Sequence, residues 1–337
     1  MTEILKDIRK NGDERPWQPW KHKSRILSAS YYRISQATHD EALYRASARV
    51  FNCADDIEFS NVITTTGERK RKLTAANFCR DRLCPMCQWR KSLVMFTQLS
   101  RTMNYIEAHP EKYGEVRCLF LTLTVKNCKA DELTETLSDM FSAWQRLNRM
   151  LKKKLSYKGS YRALEVTINE ETGEYHPHFH VLLLVSPEYF KSDYMKQTDY
   201  IALWRKALQV DYDPGAHINR MKNSKPKAIA EVAKYTVKPG DWLSFDTVKT
   251  DAHIATLREA LHGRRLVSFT GILKEARKAL KLIDVDRADL IQTDEDELIR
   301  GDVVECIEHY RWTAGVGSFG RFDYMKTMER FPSSFKV

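Results

Sequence analysis

No stretch of this 337-residue chain approaches the roughly 20 apolar residues that a membrane-spanning helix needs. The N-terminal run MTEILKDIRKNGDERPW has no apolar centre of the kind a signal peptide carries. Glycine (13) and proline (10) are scarce, which excludes collagen-like and low-complexity sequence. The seven cysteines are an odd number in a chain without an export signal. That argues against a disulfide framework and for a reducing cytoplasm, where clustered thiols serve metals or chemistry. What is present is 42% apolar and 11% aromatic residues, too much for a wholly disordered chain. At about 100–200 residues per domain the length suggests two or three domains. Lys and Arg (55) outnumber Asp and Glu (45), and this +10 charge points towards a polyanionic partner.

Charge is unevenly spread. Residues 1–100 carry a net +7, whereas residues 284–308 hold ten acids against Arg287 and Arg300. The acidic run reads as a solvated linker or exposed face. In between, CLFLTLTVK (118–126) has strand character. From Asp131, Leu133, Leu137, Met140, Phe141, Trp144, Leu147 and Leu151 recur at helical spacing. YRALEVTIN (161–169) and HFHVLLLV (178–185) read as a hairpin. A helix over Tyr194–Leu208, a strand near AHINRMK and a helix between Lys225-Pro226 and Pro239-Gly240 follow. The β-α-β-hairpin order predicts an α+β fold, a ferredoxin-like antiparallel sheet with helices on one face.

The run H-P-H-F-H sets His178 and His180 two apart, so in a strand both imidazoles share one face. Two imidazoles on a rigid strand make a bidentate metal site. Glu165 in the preceding strand is the candidate third ligand, provided the register turns it the same way. Imidazoles alone would equally suit Zn²⁺ or Ni²⁺.

Winding 225–240 as a helix places Lys227, Glu231, Lys234, Tyr235 and Lys238 within an arc of roughly 100°. Between His217 and Gly240 six bases, among them Arg220 and Lys222, face one acid. This is a phosphate-positioning surface. Ammonium groups beside a phenol favour its nucleophilic phenolate form, and a phosphodiester held by a metal is its natural target. Attack would leave a 5′-phosphotyrosine and free a 3′-OH. Glu231 then has two readings, general base or ion-pair partner of Lys227 or Lys234.

Cys79-x4-Cys84-x2-Cys87 brings three thiols within nine residues, and Cys53 in VFNCADDIEF is the best fourth ligand. A four-thiolate Zn²⁺ site is favoured over scattered buried thiols or a Cys84–Cys87 redox pair, which would need a thioredoxin-like context. Arg80, Arg82, Arg90 and Lys91 surround this knuckle and could press against DNA. Cys118, Cys128 and Cys306 read as small hydrophobes.

FLTLTVKN, HPHFHVLLLV and AEVAKYTVKPGD, in that order, resemble the three-motif signature of HUH endonucleases. They are most similar to the replication initiator (Rep) proteins of small rolling-circle plasmids of Gram-positive bacteria. FCRDRLCPMCQWRKS and GRRLVSFTGILKEARKAL add to a resemblance that spans about residues 45–285. It implies Mg²⁺ or Mn²⁺ on His178 and His180, Tyr235 as the nicking nucleophile, and Glu231 as the activating base of termination. No second tyrosine stands beside Tyr235 at helical spacing, which fits the single-tyrosine subtype. The expected regions are 1–115 (DNA binding, four-cysteine zinc), 116–245 (HUH endonuclease) and 246–337 (C-terminal extension with the acidic segment). The expected partner is plasmid origin DNA, unpaired or hairpin at the nick. The family adds a host helicase, polymerase and single-strand binding protein and leaves room for a homodimer. The rival expectations are a mobilisation relaxase or transposase, and a zinc-containing repressor without nuclease activity.

Overall fold

The β-branched and aromatic runs form two separate antiparallel sheets, which helices complete into a mixed α/β architecture. The computed structural model describes every residue except 1–2, 9–11, 155, 222–228, 230–241, 243–245, 292–301, 315–321 and 332–337. Two compact units emerge, Met1–Val94 with Asp284–Val337, and Met95–Ile283. A C-terminal strand returns to pair with an N-terminal one, which brings both ends of the chain into the first unit.

In the first unit, α1 (Trp17–Thr38) and α2 (Glu41–Phe51) are separated by Asp40, whose carboxylate caps α2 by accepting from Leu43 N–H at 2.9 Å. Strands β1 (Asp56–Ile63) and β2 (Arg69–Ala76) form a hairpin, then α3 (Pro85–Ala108) begins. The sheet is completed from the far end of the chain by β8 (Val303–Ala314) and β9 (Phe322–Arg330), in the order β2-β1-β8-β9. Trp17 anchors the core, meeting Trp89 edge-on at 4.8 Å and Phe59 at 5.8 Å, with its indole N–H on Asp7 at 2.8 Å.

The acidic segment is only partly a solvated linker. Asp302 is fully buried against Lys72 at 2.8 Å, Glu308 meets Arg71 at 2.7 Å, and half-buried Glu305 meets exposed Arg69 at 3.0 Å. Opposite charges brought from β2 and β8 to either side of β1 thus absorb much of the N-terminal basic excess. A buried pair such as Lys72–Asp302 specifies register more than it adds stability, because desolvation offsets its attraction.

The second unit holds α4 (Pro110–Tyr113), β3 (Arg117–Thr124), α5 (Leu133–Lys154), β4 (Tyr157–Ile168) and β5 (Tyr175–Val185). After these come α6 (Gln197–Leu208), β6 (Ala216–Arg220), α7 (Thr247–Leu261), β7 (Val267–Thr270) and α8 (Gly271–Ala279). All neighbours in the sheet β6-β3-β5-β4-β7 are antiparallel. β5 is central, so its HVLLLV run is buried on both sides, whereas β3 alternates Leu119, Leu121 and Leu123 inward with Phe120, Thr122 and Thr124 outward.

Phe179 receives Phe141 and Trp144 of α5 and Trp204 of α6 at 5.5, 6.3 and 6.4 Å, so both helices lie on its face. The expectation of helices on one face holds for these two. It fails at the β4–β7 edge, where Arg277 of α8 lies 4.1 Å over Phe269, whose ring meets Tyr161 on the opposite, histidine side. Gly271 (φ +56°) makes that turn possible, since a Cβ there would strike the Lys158 carbonyl. Tyr175–Pro177 extend β5 three residues before the expected start, held by pairing with β4 and a bridge to Cys128. The helix expected over 225–240 lies outside the described residues apart from Ile229, which is helical and buried.

Candidate metal centres

The β4–β5 register places Glu165 directly opposite His178, and Ala163 opposite His180. Side chains opposite one another in an antiparallel pair share a face, so the expected turn of Glu165 towards the imidazoles occurs. His178 Nε2 and His180 Nε2 stand 3.2 Å apart. Oε2 of Glu165 lies 3.1 Å from the first and 2.6 Å from the second. The Glu165 side chain is 4% exposed and each of the two histidine side chains 11%.

These three atoms suit a common cation. Ligands about 2.1 Å from an ion and at right angles to each other stand about 3.0 Å apart, close to two of the separations. The third is the length of a charge-assisted hydrogen bond. Nδ1 of His178 faces the His176 carbonyl at 3.2 Å, a contact that needs N–H at Nδ1 and leaves the Nε2 lone pair for a ligand. Phe120 stacks on the His180 ring at 5.6 Å and 16°. His176 sits at the rim, with Nδ1 on Asn127 Oδ1 at 2.8 Å. Three protein donors leave coordination positions open, as a catalytic rather than a structural ion requires.

The four cysteines also converge. Cys53 to Cys87, Cys79 to Cys87 and Cys53 to Cys84 are each 3.6 Å between sulfurs, and all four lie within 4.8 Å of one another. Tetrahedral Zn–S bonds of 2.3 Å put sulfurs about 3.8 Å apart, so the cage fits that ion. Backbone N–H groups of Cys79, Arg80 and Asp81 donate to Cys53, Cys87 and Cys79 sulfurs at 3.4, 3.2 and 3.4 Å. These donors favour thiolates. Four thiolates at such spacing repel one another, and contacts with the neighbouring sulfurs, joined by burial, drive the Cys53 thiol far up without a counter-charge. A dication removes that penalty.

Sequence reasoning missed the support of this cage. Lys21 of α1 is fully buried, and its ammonium donates to the carbonyls of Cys53 (2.6 Å) and Phe51 (2.8 Å) while pairing with Asp55 at 2.5 Å. From the other end of the chain, Tyr324 donates to Ala54 O at 2.7 Å and Trp312 N–H to Asp55 O at 2.8 Å. Nothing local in the sequence marks Lys21 as a partner of Cys53.

Of the knuckle's basic residues only Arg90 is buried, whereas Arg80 is exposed and Arg82 and Lys91 are half-buried. Arg90 is fully buried and holds the carbonyls of Leu290 and Ile291 at 2.7 and 2.6 Å. Arg80 holds Ala288 O at 3.0 Å, and Lys91 meets Asp286 at 2.9 Å. Of the phosphate-positioning residues, Arg220 ends β6, exposed, with its guanidinium 4.4 Å over Phe190. Tyr235, Glu231, Lys222, Lys227, Lys234 and Lys238 lie outside the described residues.

Fold and sites together define a mixed α/β protein with a closed four-thiol cage and an open His–His–Glu cluster, each able to hold a metal ion. The model of a family described as replication protein matches residues 70–318. A Protein rep of Bacillus amyloliquefaciens is 34% identical over 337 residues, covering 94% of this chain and 96% of that one. Proteins of the same name from Lactiplantibacillus plantarum and Streptococcus pneumoniae are 36% and 35% identical, over 88% and 91% of this chain and 92% and 93% of theirs. This chain belongs to the replication protein family. No solved structure matches it, and no described helix is long and apolar enough to cross a membrane.

Proposed function

We propose that this chain initiates rolling-circle replication of a plasmid by binding the double-strand origin, nicking one strand and rejoining DNA at termination. The observation that carries the reading is the convergence of Glu165, His178 and His180 in a chain of the replication protein family. Near full-length similarity to proteins named Protein rep favours it over a relaxase or a small transposase. Strands β3 to β6 would form the core of an HUH endonuclease region, 116–245, with β7 added to the sheet from the segment beyond it. Residues 1–115 would contribute DNA binding and, through Cys53, Cys79, Cys84 and Cys87, structural zinc. The remaining 246–337 would form the C-terminal extension.

Mg²⁺ or Mn²⁺ would be held by both Nε2 atoms and the Glu165 carboxylate, and when bound it draws charge from the non-bridging oxygens of a phosphodiester. Tyr235 supplies the nucleophile. Its oxygen, having lost the phenolic proton to solvent, bonds to phosphorus as the P–O3′ bond breaks. The electron pair leaves with the 3′ oxygen, which takes a proton from water. One ester replaces another, so the resulting 5′-phosphotyrosine can be resealed or passed on, and the free 3′-OH primes synthesis. Glu231, one helical turn before Tyr235, takes the proton of the hydroxyl that resolves this ester at termination. Arg220, Lys222, Lys227, Lys234 and Lys238 position the backbone phosphates.

Attack at a single phosphodiester needs an unpaired strand, so a supercoiled origin with an extruded hairpin is the substrate. Host helicase, polymerase and single-strand binding protein would complete the cycle in the bacterial cytoplasm. The test is relaxation of origin-bearing supercoiled plasmid with and without EDTA. Wild type relaxes it only when a divalent ion is free, and Tyr235→Phe does not. Persistent nicking by that variant overturns the reading.

A further inference from the structure

The histidine cluster stands on a border within its own sheet face. On β4 and β5 the residues that share the face, Tyr161, Leu182 and Leu184, are at most 1% exposed. On β3 and the edge strand β6 the same face is open. Phe120, Thr122 and Thr124 are half-buried there, and His217 and Asn219 are exposed. Pairing aligns these residues into rows. One runs Ala163, His180, Thr122, His217, and the next runs Tyr161, Leu182, Phe120, Asn219. At about 4.8 Å per strand, His217 lies about 10 Å from His180. That distance is close to three stacked nucleotides at 3.4 Å each.

Core packing does not explain the open residues. Leu119, Leu121 and Leu123 carry the buried side of β3 at 2%, 0% and 0% exposure, while Phe120 keeps a partly accessible ring beside a polar cluster. That ring already lies parallel to the His180 imidazole, in line for another flat π-system. Two hydroxyls, an amide and an imidazole follow within two strands, all on the same side. Gly215 keeps the face open, because a Cβ there would strike the Thr124 hydroxyl. Positive charge flanks one end of the track, where exposed Lys126 lies beyond β3 with its ammonium 4.2 Å over Tyr212.

We propose that Phe120, Thr122, Thr124, His217 and Asn219 form a track that receives the unpaired DNA strand beside the metal cluster, with Phe120 as the stacking platform for a base. The identity of the ligand rests on the nicking reading above. The location of the track rests on the open half of the face alone. Duplex DNA does not fit this role, because its bases are already stacked on one another and cannot lie on a protein ring.

The experiment uses Tyr235→Phe protein, so that binding is measured without covalent capture. The probes are a fluorescein-labelled dT15 oligonucleotide and a labelled mixed-sequence duplex. Loss of one base–aromatic stack should weaken binding about 5- to 150-fold. Phe120→Leu should therefore weaken dT15 binding by that factor, and His217→Ala by several-fold. Duplex affinity and the midpoint of a Mn²⁺ titration should not move. An unchanged dT15 affinity overturns the proposal, as does an equal loss on the duplex. A shifted Mn²⁺ midpoint with dT15 affinity intact would also overturn it and make Phe120 a support for His180 alone. Unsubstituted protein supplies a check that needs no folding assumption. Photocrosslinking to an oligonucleotide containing 5-iodouracil should label peptides 117–124 or 216–220, and labelling only elsewhere refutes the track. Nicking by Tyr235→Phe would sink the catalytic reading and leave these binding outcomes to be judged separately.

Discussion

The chain holds four thiols and two imidazoles in opposite ways. The thiols are enclosed: Cys53, Cys84 and Cys87 have no exposed surface, the Cys53 and Cys87 sulfurs accept backbone N–H groups, and Lys21 clamps the turn that carries Cys53. The imidazoles sit on a preformed strand with their ligand atoms at the edge of an open face. A closed cage spends its ion on folding, whereas an open one leaves positions for substrate. Replacing a ligand should therefore damage stability at the first site and activity at the second.

The largest effect is expected at the cage. Cys84→Ser should lower bound zinc from about one equivalent to none and bring the thermal midpoint down by more than about 10 °C, because metal binding is folding energy there. Zinc analysis and calorimetry read both, and full zinc content in the variant would break the comparison. At the sheet, His180→Ala should cut plasmid nicking at least about 100-fold while the midpoint stays within about 3 °C. A collapse in stability there would mean that the imidazole is a structural group.

Lys21→Met sharpens the contrast. The Cys53 and Phe51 carbonyls lose a buried donor, and Asp55 keeps Arg25, at 2.8 Å. Denaturant unfolding should show a loss of about 3 kcal/mol, most of it gone when zinc has first been chelated. A loss that chelation leaves unaltered would detach Lys21 from the cage.

The smallest effect concerns Glu308. Burial pushes its carboxyl up, but Lys326, Asn61 and Arg71 together hold it below the usual carboxylate value. A depressed folded value contributes stability that is present above the unfolded value, about 4.3, and fades as pH falls through the folded one. The difference in denaturant midpoint between wild type and Glu308→Gln should shrink from pH 6 to pH 3. Taking the difference cancels acid release of any metal held in the cage, which both proteins would share, and a pH-independent gap would refute the linkage.

Local patterns were the most legible part of the sequence. The two-residue spacing of His178 and His180 sets a common face wherever that run is a strand, and three cysteines within nine residues announce a cage. Glu165 needed the hairpin register, which depends on how the 169–174 turn closes, a matter of backbone hydrogen bonds such as Asn169 N–H to Glu174 O at 2.9 Å. Contacts across long loops were invisible. The pairing of β8 with β1, and the burial of Asp302 and Arg90, arise from tertiary placement that charge counting cannot see. Charge runs therefore misled in part, as Arg90 turns inward onto backbone carbonyls and Asp302, Glu305 and Glu308 pair within the fold. The open track was half-written in FLTLT, whose alternation shows that Phe120, Thr122 and Thr124 share a side but not that the side is the histidine one.

The most direct measurement of the central claim is the site of covalent attachment. Protein incubated with a labelled single-stranded origin oligonucleotide and Mn²⁺, then digested and sequenced, should yield one DNA-linked peptide, joined through Tyr235 and absent from His178→Ala protein. An adduct on another residue, or one that forms equally without the His178 imidazole, would contradict it.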